Sequence, residues 1–209
     1  MDELERKDNP KVGILGGTFD PVHIGHLILG EESRFQLGLD RILFMPSHNP
    51  PHKTDRAGRA SDMQRVEMLR LAIASNPHFE LSMTEMERPG LSYTYQTLEH
   101  LNKVSPETEF ILIIGGDCLF DFETWMKPER IAAGASIAVG SRGLHSTDEL
   151  LGRAAELTEK YGARIYMLDL NPVSVSSSML RDYRSRGRSL RYYVPREVLS
   201  YMEKEKLYI

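Results

Sequence analysis

Residues 11–37 read KVGILGGTFDPVHIGHLILGEESRFQL, and this stretch decides the fold. Residues 11–15 form a short apolar run ending in Gly16-Gly17, as a strand does when it feeds a turn. Residues 24–37 then space their apolar side chains at helical intervals. Strand, glycine turn and helix in that order make the first half of a βαβ unit.

The same rhythm continues outward. Residues 41–45 read as a second strand stopped by Pro46, and 47–60 as a polar loop. Residues 61–75 read as a helix, with Ser61 and Gln64 in capping-box spacing. Further strands are expected at 79–83, 110–114, 136–139 and 164–168. Helices are expected at 93–103, 148–161, 177–186 and 195–206, the last with Pro in its first turn. The run 110–114, FILII, has the continuous apolar character of a strand buried on both faces. The alternation predicts an α/β protein: one domain over residues 1–209, an open parallel sheet with helices on both faces, and residues 1–10 as a flexible extension. In such sheets ligands sit beyond the carboxyl ends of the strands, where strand order reverses.

Composition narrows the function. The 209 residues are 41% hydrophobic and 27% charged with net charge −4, which excludes a basic nucleic-acid coat or a polybasic membrane-surface protein. One cysteine, Cys118, excludes an internal disulfide framework and a four-cysteine zinc site. The start, MDELERKDNP, has no apolar core of a secretory signal, and 110–114 is far shorter than the roughly 20 residues of a membrane span. These features predict a cytoplasmic protein with neither nucleic acid nor membrane as partner, and a homo-oligomer is compatible with them.

Three strings following strands carry chemistry. In GGTFDPVHIGH, residues 16–26, Gly16 and Gly17 let backbone approach an anion, and the following helix start favours negative charge. His23 and His26 are three apart, so both rings can face one side, and Gly25 between them leaves room for a ligand. Two imidazoles aimed at one spot suit a phosphate gaining charge. The plain alternative is a glycine-requiring turn with two surface histidines. In VSSSMLR, residues 175–181, serine hydroxyls and amides at a helix start can take phosphate oxygens and Arg181 can clamp them. Residues 176–196 hold six arginines and one acid, a local positive excess. An N-cap serine with solvated arginines fits the same residues. The third string, Ile114-Gly115-Gly116-Asp117 followed by Trp125, offers a carboxylate for a ribose and a flat face for a ring, or an N-cap and a core tryptophan. Lys53 in PPHK and Arg142 after a strand are further anion contacts, or surface residues. His48 and His52 lack further ligands nearby for zinc, so no metal site is expected.

These strings together resemble the nucleotidylyltransferase superfamily, by GGTFDPVHIGHL with its HxGH and by SSSMLR as an SSxxxR-type signature. PPHK, SYTYQTLEHL, IIGGD with a later tryptophan, and VSSSMLR narrow the resemblance to bacterial nicotinate-nucleotide adenylyltransferases, in order from about residue 11 to the C-terminus. The resemblance implies a Rossmann-like fold and a place in NAD biosynthesis. ATP and nicotinate mononucleotide would give nicotinate adenine dinucleotide and pyrophosphate, with Mg²⁺ accompanying ATP. It implies that His23 and His26 contact ATP phosphates and that Gly16, Gly17, Thr18 and Phe19 line the reaction centre. Ser177, Ser178 and Arg181 would hold the pyrophosphate portion, Gly115 and Asp117 would meet the nucleotide, and Arg142 would add an anion contact. Thr94 and Trp125 would frame the pyridine ring and Lys53 would reach the mononucleotide phosphate; read from the residues themselves, the amides where Tyr93 and Thr94 open a helix suit the pyridine carboxylate. Two departures stand out: Gly116 where the family often has alanine, and Ser-Arg-Gly-Leu where it often has Arg-Pro-Gly. Phosphopantetheine or nicotinamide mononucleotide as acceptor, and a non-catalytic nucleotide sensor, are the alternatives.

Overall fold

The computed structural model describes residues 9–48, 59–141, 145–171 and 173–209. Its elements run β1 Lys11–Gly17, α1 Ile24–Leu37, β2 Arg41–Pro46, α2 Asp62–Ile73, β3 Phe79–Leu81, α3 Thr84–Glu87, α4 Thr94–Val104 and β4 Glu109–Gly115. There follow α5 Gly116–Asp121, a 3₁₀ turn Phe122–Thr124, α6 Pro128–Gly134, β5 Ser136–Gly140, α7 Thr147–Tyr161, β6 Ile165–Leu168, α8 Ser177–Ser185 and α9 Arg196–Lys204. The six strands are parallel in the order β3-β2-β1-β4-β5-β6, so the order reverses between β1 and β4.

Side chains alternate across the sheet and build a core on each face. Val12, Ile14, Leu112, Ile114, Ile137 and Val139 face the core closed by α4, α5, α6 and α7. Leu15, Phe44, Ile111, Ile113 and Ala138 face the other, closed by α1, α2, α8 and α9. Helices on both faces are therefore as the sequence predicts. At the carboxyl edge Gly17 pairs in register with Pro46, and Gly115 with Gly140, so bare backbone lines the edge where strand order reverses.

The differences from the sequence reading lie at boundaries and in short elements. Gly16 and Gly17 are the last residues of β1 rather than a turn after it, and Pro46 closes β2 from within. α2 ends at Ile73 and β3 at Leu81, because Met83 caps the unforeseen α3. Tyr93 and Pro195 are caps outside α4 and α9 rather than first-turn residues. Helices α3, α5 and α6, with four, six and seven residues, are too short to show a helical period in sequence. Residues 1–8 of the expected extension and 49–58 of the expected loop lie outside the described residues. Among those described, no helix is long and apolar enough to cross a membrane.

α3 braces the start of α4 through a buried polar chain. Arg88 donates to the Thr97 hydroxyl at 2.9 Å, and that hydroxyl donates to Glu85 at 2.9 Å. Burial raises the Glu85 carboxyl above its ordinary value, against the opposing pull of Thr97 and Arg88. A carboxyl whose native pKa exceeds its unfolded value binds more protons when folded, so its contribution to stability falls as pH rises through the native value. The variant Glu85→Gln keeps an acceptor for Thr97 without the buried charge. Its stability relative to wild type in urea titrations should therefore improve as pH rises from 4.5; a difference constant across that range would contradict the assignment.

Candidate active site

The site is built from β1 outward. A Cβ at Gly16 would meet nothing within 4 Å, so the strand end stands open to an approaching group. A Cβ at Gly17 would lie 3.2 Å from the Phe19 ring, which folds back over it. Phe19 takes a left-handed backbone at φ 49°, a conformation that costs a bulky residue about 1–3 kcal/mol. Its buried ring meets His26 edge-on at 5.0 Å and Phe44 at 6.0 Å, and this packing holds it there.

His23 caps α1 and His26 occupies its third position. Their rings stack at 3.7 Å with 24° between planes, His23 buried beneath and His26 half-buried above. The His23 backbone N–H donates to His26 Nδ1 at 3.2 Å. In a neutral ring this places the proton of His26 on Nε2, a donor suited to a phosphoryl oxygen. The α1 amides are partly committed: Ile24 donates to the Tyr193 carbonyl at 2.9 Å. Gly25 corrects the sequence reading. The space its Cβ would fill holds Val175 at 2.9 Å and the His23 ring at 3.1 Å, so packing of the protein itself demands glycine there. A small cleft alongside is lined by Gly25, Ile28, Leu29, Gly140, Leu170 and Val175, together with the polar Ser141 and Asn171.

The second string docks onto the first. Ser177 Oγ donates to the Pro21 carbonyl at 2.9 Å, and Arg181 donates to the Asp20 carbonyl at 2.6 Å. Ser176 caps α8, accepting from the Met179 amide at 3.2 Å, and its hydroxyl lies 3.1 Å from that of Ser178. Two other arginines of this segment stand apart: Arg186 pairs with Asp182, and Arg188 lies over the Tyr183 ring.

Asp20, 1% exposed, carries the junction. Its Oδ1 accepts from the Tyr208 hydroxyl at 2.6 Å and the Ala60 amide at 3.2 Å. Its Oδ2 faces Arg59 at 3.6 Å and Arg181 at 3.8 Å. Burial and the neighbouring Asp20 carboxylate push the Tyr208 phenol far up, so it stays a donor. The 3%-exposed Arg65 of α2 donates to the carbonyls of Thr18 and Ser47 at 2.6 and 2.8 Å and to Asp62 at 2.8 Å. Asp20, Tyr208 and Arg65 were not singled out from sequence. Asp20 lies inside the quoted string, but Tyr208 and Arg65 show no local signal, because their partners are remote in sequence.

The third string is partly gathered in. Gly115 is the cap of α5 and the register neighbour of Gly140, and Asp117 is exposed in the first turn of that helix. Trp125 follows the 3₁₀ turn, half-buried, its ring 5.9 Å from that of Phe122. The next helix, α6, packs on α4, with Arg130 lying 4.8 Å over Tyr95, so the segment after Trp125 is joined to the helix that Tyr93 and Thr94 open. Lys53 and Arg142 lie outside the described residues. Among the described residues no three His, Cys, Asp or Glu side chains converge as metal ligands.

Comparison with known proteins identifies the family. A cytidylyltransferase-like family model matches residues 14–183. A Lachnoclostridium phytofermentans protein named "Probable nicotinate-nucleotide adenylyltransferase" is 43% identical over 199 residues, covering 95% of this chain and 99% of its own. One of the same name from Bacillus pumilus is 40% identical over 205 residues, covering 95% and 98%. Among solved structures, the Plasmodium falciparum nicotinic acid mononucleotide adenylyltransferase complexed with NaAD superposes with TM-score 0.78 at 18% identity, covering 95% of this chain and 97% of that one. The first string with its stacked histidines, the second docked upon it and near-full-length relatives of one name place the chain in the cytidylyltransferase-like family, among the nicotinate-nucleotide adenylyltransferases.

Proposed function

We propose that the site transfers AMP from ATP to nicotinate mononucleotide, releasing pyrophosphate and forming nicotinate adenine dinucleotide. The observation that carries this reading is the stacked His23–His26 pair beside an open strand end, with the Arg181 helix fastened to the same segment. It supports a phosphoryl-transfer centre assembled by positioning.

The mononucleotide phosphate is already an anion and needs neither base nor protein nucleophile. One of its oxygens attacks the α-phosphorus of ATP in line while the bond to the β-phosphate bridging oxygen breaks. Charge develops on the phosphoryl oxygens, where a donor is worth most. His26 Nε2–H supplies such a donor, and His23, buried under it, fixes the ring plane. Arg181, with the Ser177 amide and Ser178 at the α8 start, takes the leaving pyrophosphate. Gly115 at the end of β4 and Asp117 in the first turn of α5 suit the ribose. Tyr93 and Thr94 at the α4 start offer amides to the pyridine carboxylate, and Trp125 offers a ring face. Lys53, in PPHK, would reach the mononucleotide phosphate, and Arg142, a basic residue in the segment after β5, would add an anion contact to ATP.

Mg²⁺ enters with ATP as part of the substrate. Asp20 Oδ1 already accepts from Tyr208 and Ala60 while its Oδ2 faces Arg59 and Arg181, and among the described residues no three His, Cys, Asp or Glu side chains converge as ligands. The retained histidines and Arg181 favour catalysis over a sensing role.

His26→Ala should lower kcat about 100- to 1000-fold with the melting temperature preserved. Pyrophosphate release with ATP, Mg²⁺ and each acceptor is the assay, and a variant retaining most of its turnover would leave the histidine a structural residue. With wild type, kcat/KM for nicotinate mononucleotide should exceed that for the amide by about tenfold or more, because an amide NH₂ would face donors. Equal values, or faster reaction with phosphopantetheine, would contradict the acceptor. Arg181→Ala should raise the ATP KM and lower kcat, with the mononucleotide KM changed by less than about twofold. A change confined to the mononucleotide would contradict the role of α8.

A further inference from the structure

We propose that Glu123 is a positioning residue that fixes Trp125 for the mononucleotide by clasping its 3₁₀ turn to α7, an inference that rests on the ring contact assigned to Trp125 above. The turn Phe122–Thr124 is short and internally held by little: the Trp125 amide donates to the Phe122 carbonyl at 3.1 Å, and Thr124 Oγ1 donates to the Asp121 carbonyl at 2.7 Å. Glu123, at its centre, reaches sideways to three donors on one helix. Arg153 donates to Oε2 at 2.6 Å, and Lys160 Nζ and the Tyr161 hydroxyl donate to Oε1 at 2.6 and 3.0 Å.

An aromatic row runs alongside this clasp. Phe122 is fully buried, with its ring 5.9 Å from Trp125 and 6.3 Å from Tyr161. Tyr161 thus touches both neighbours of the indole, the carboxylate through its hydroxyl and the phenyl ring through its edge. Two independent contacts tie the same turn to the same helix, and the indole follows directly.

Partly exposed ion pairs such as these add little to global stability. Their convergence on a single carboxylate restricts geometry instead, in the way that outer contacts hold a binding group in register. Hydrogen bonds from Lys160, then Arg153 and Tyr161, lower the Glu123 carboxyl to about 2, so the clasp stays ionised at neutral pH. None of these four residues belongs to the strings that mark the family.

Trp125 is the single tryptophan of the chain, so its fluorescence reports its own position without recourse to activity. Glu123→Ala should raise acrylamide quenching of Trp125 about twofold and the mononucleotide KM about tenfold, with the ATP KM within about twofold and the melting temperature nearly unchanged. The double variant Arg153→Met, Lys160→Met approaches the clasp from α7 and should reproduce both effects. Unchanged quenching in both variants overturns the proposal. So does a parallel rise in both KM values with a large fall in melting temperature, which would mark a merely structural role. Trp125→Ala separates the two readings. If it leaves the mononucleotide KM unchanged, the ring contact is wrong and the proposal falls with it. If it raises that KM and Glu123→Ala does not, the proposal alone falls.

Discussion

A single buried carboxylate holds the site together. Asp20 joins the first string to a tyrosine 188 positions away and, through its carbonyl, to an arginine 161 positions away. Burying an unpaired carboxylate would cost several kcal/mol, and here two guanidinium groups, a phenol and an amide share that charge. The compensation is geometrically demanding. It is met only when the segment before α2, the start of α8 and the chain end after α9 all reach the end of β1. Correct assembly of one face of the sheet and formation of the anion site are therefore the same event.

That coupling explains why the site is made of ordinary groups. Two imidazoles, a guanidinium, serine hydroxyls and exposed backbone contribute little as mobile surface groups. Held by stacking, by the Phe19 ring and by the Arg65 bridges to Thr18 and Ser47, the His26 ring and the exposed amides are proposed to act as fixed donors. Fixed donors are not reorganised as charge develops, which is the source of their effect on a transition state. Arg186 and Arg188, just after α8, have no such framing: Arg186 pairs with Asp182 and Arg188 lies over an aromatic face.

Much of this was legible in the sequence because it is local. The strand–helix rhythm, the glycines at the carboxyl edge, the Ser61 cap and the three-residue spacing of His23 and His26 are all encoded within a turn or two of chain. The short helices α3, α5 and α6 were illegible, since fewer than eight residues carry no period. The purpose of Gly25 was misread as ligand room because the side chain it accommodates, Val175, comes from a distant segment. Asp20, Tyr208, Arg65 and the Glu85–Thr97–Arg88 chain depend on partners that only the folded chain brings near. Lys53 and Arg142 were legible as motif positions and have no described surroundings.

On the proposed mechanism positioned donors suffice: the adenylyl group passes directly from ATP to the acceptor, and no protein group bonds to phosphorus. The stereochemical course at the α-phosphorus tests it most directly. With ATP made chiral at that phosphorus by isotopic or thio substitution, direct transfer gives inversion in the dinucleotide product, the mark of a single in-line displacement. Retention would mean two displacements through an adenylylated residue and would contradict the account.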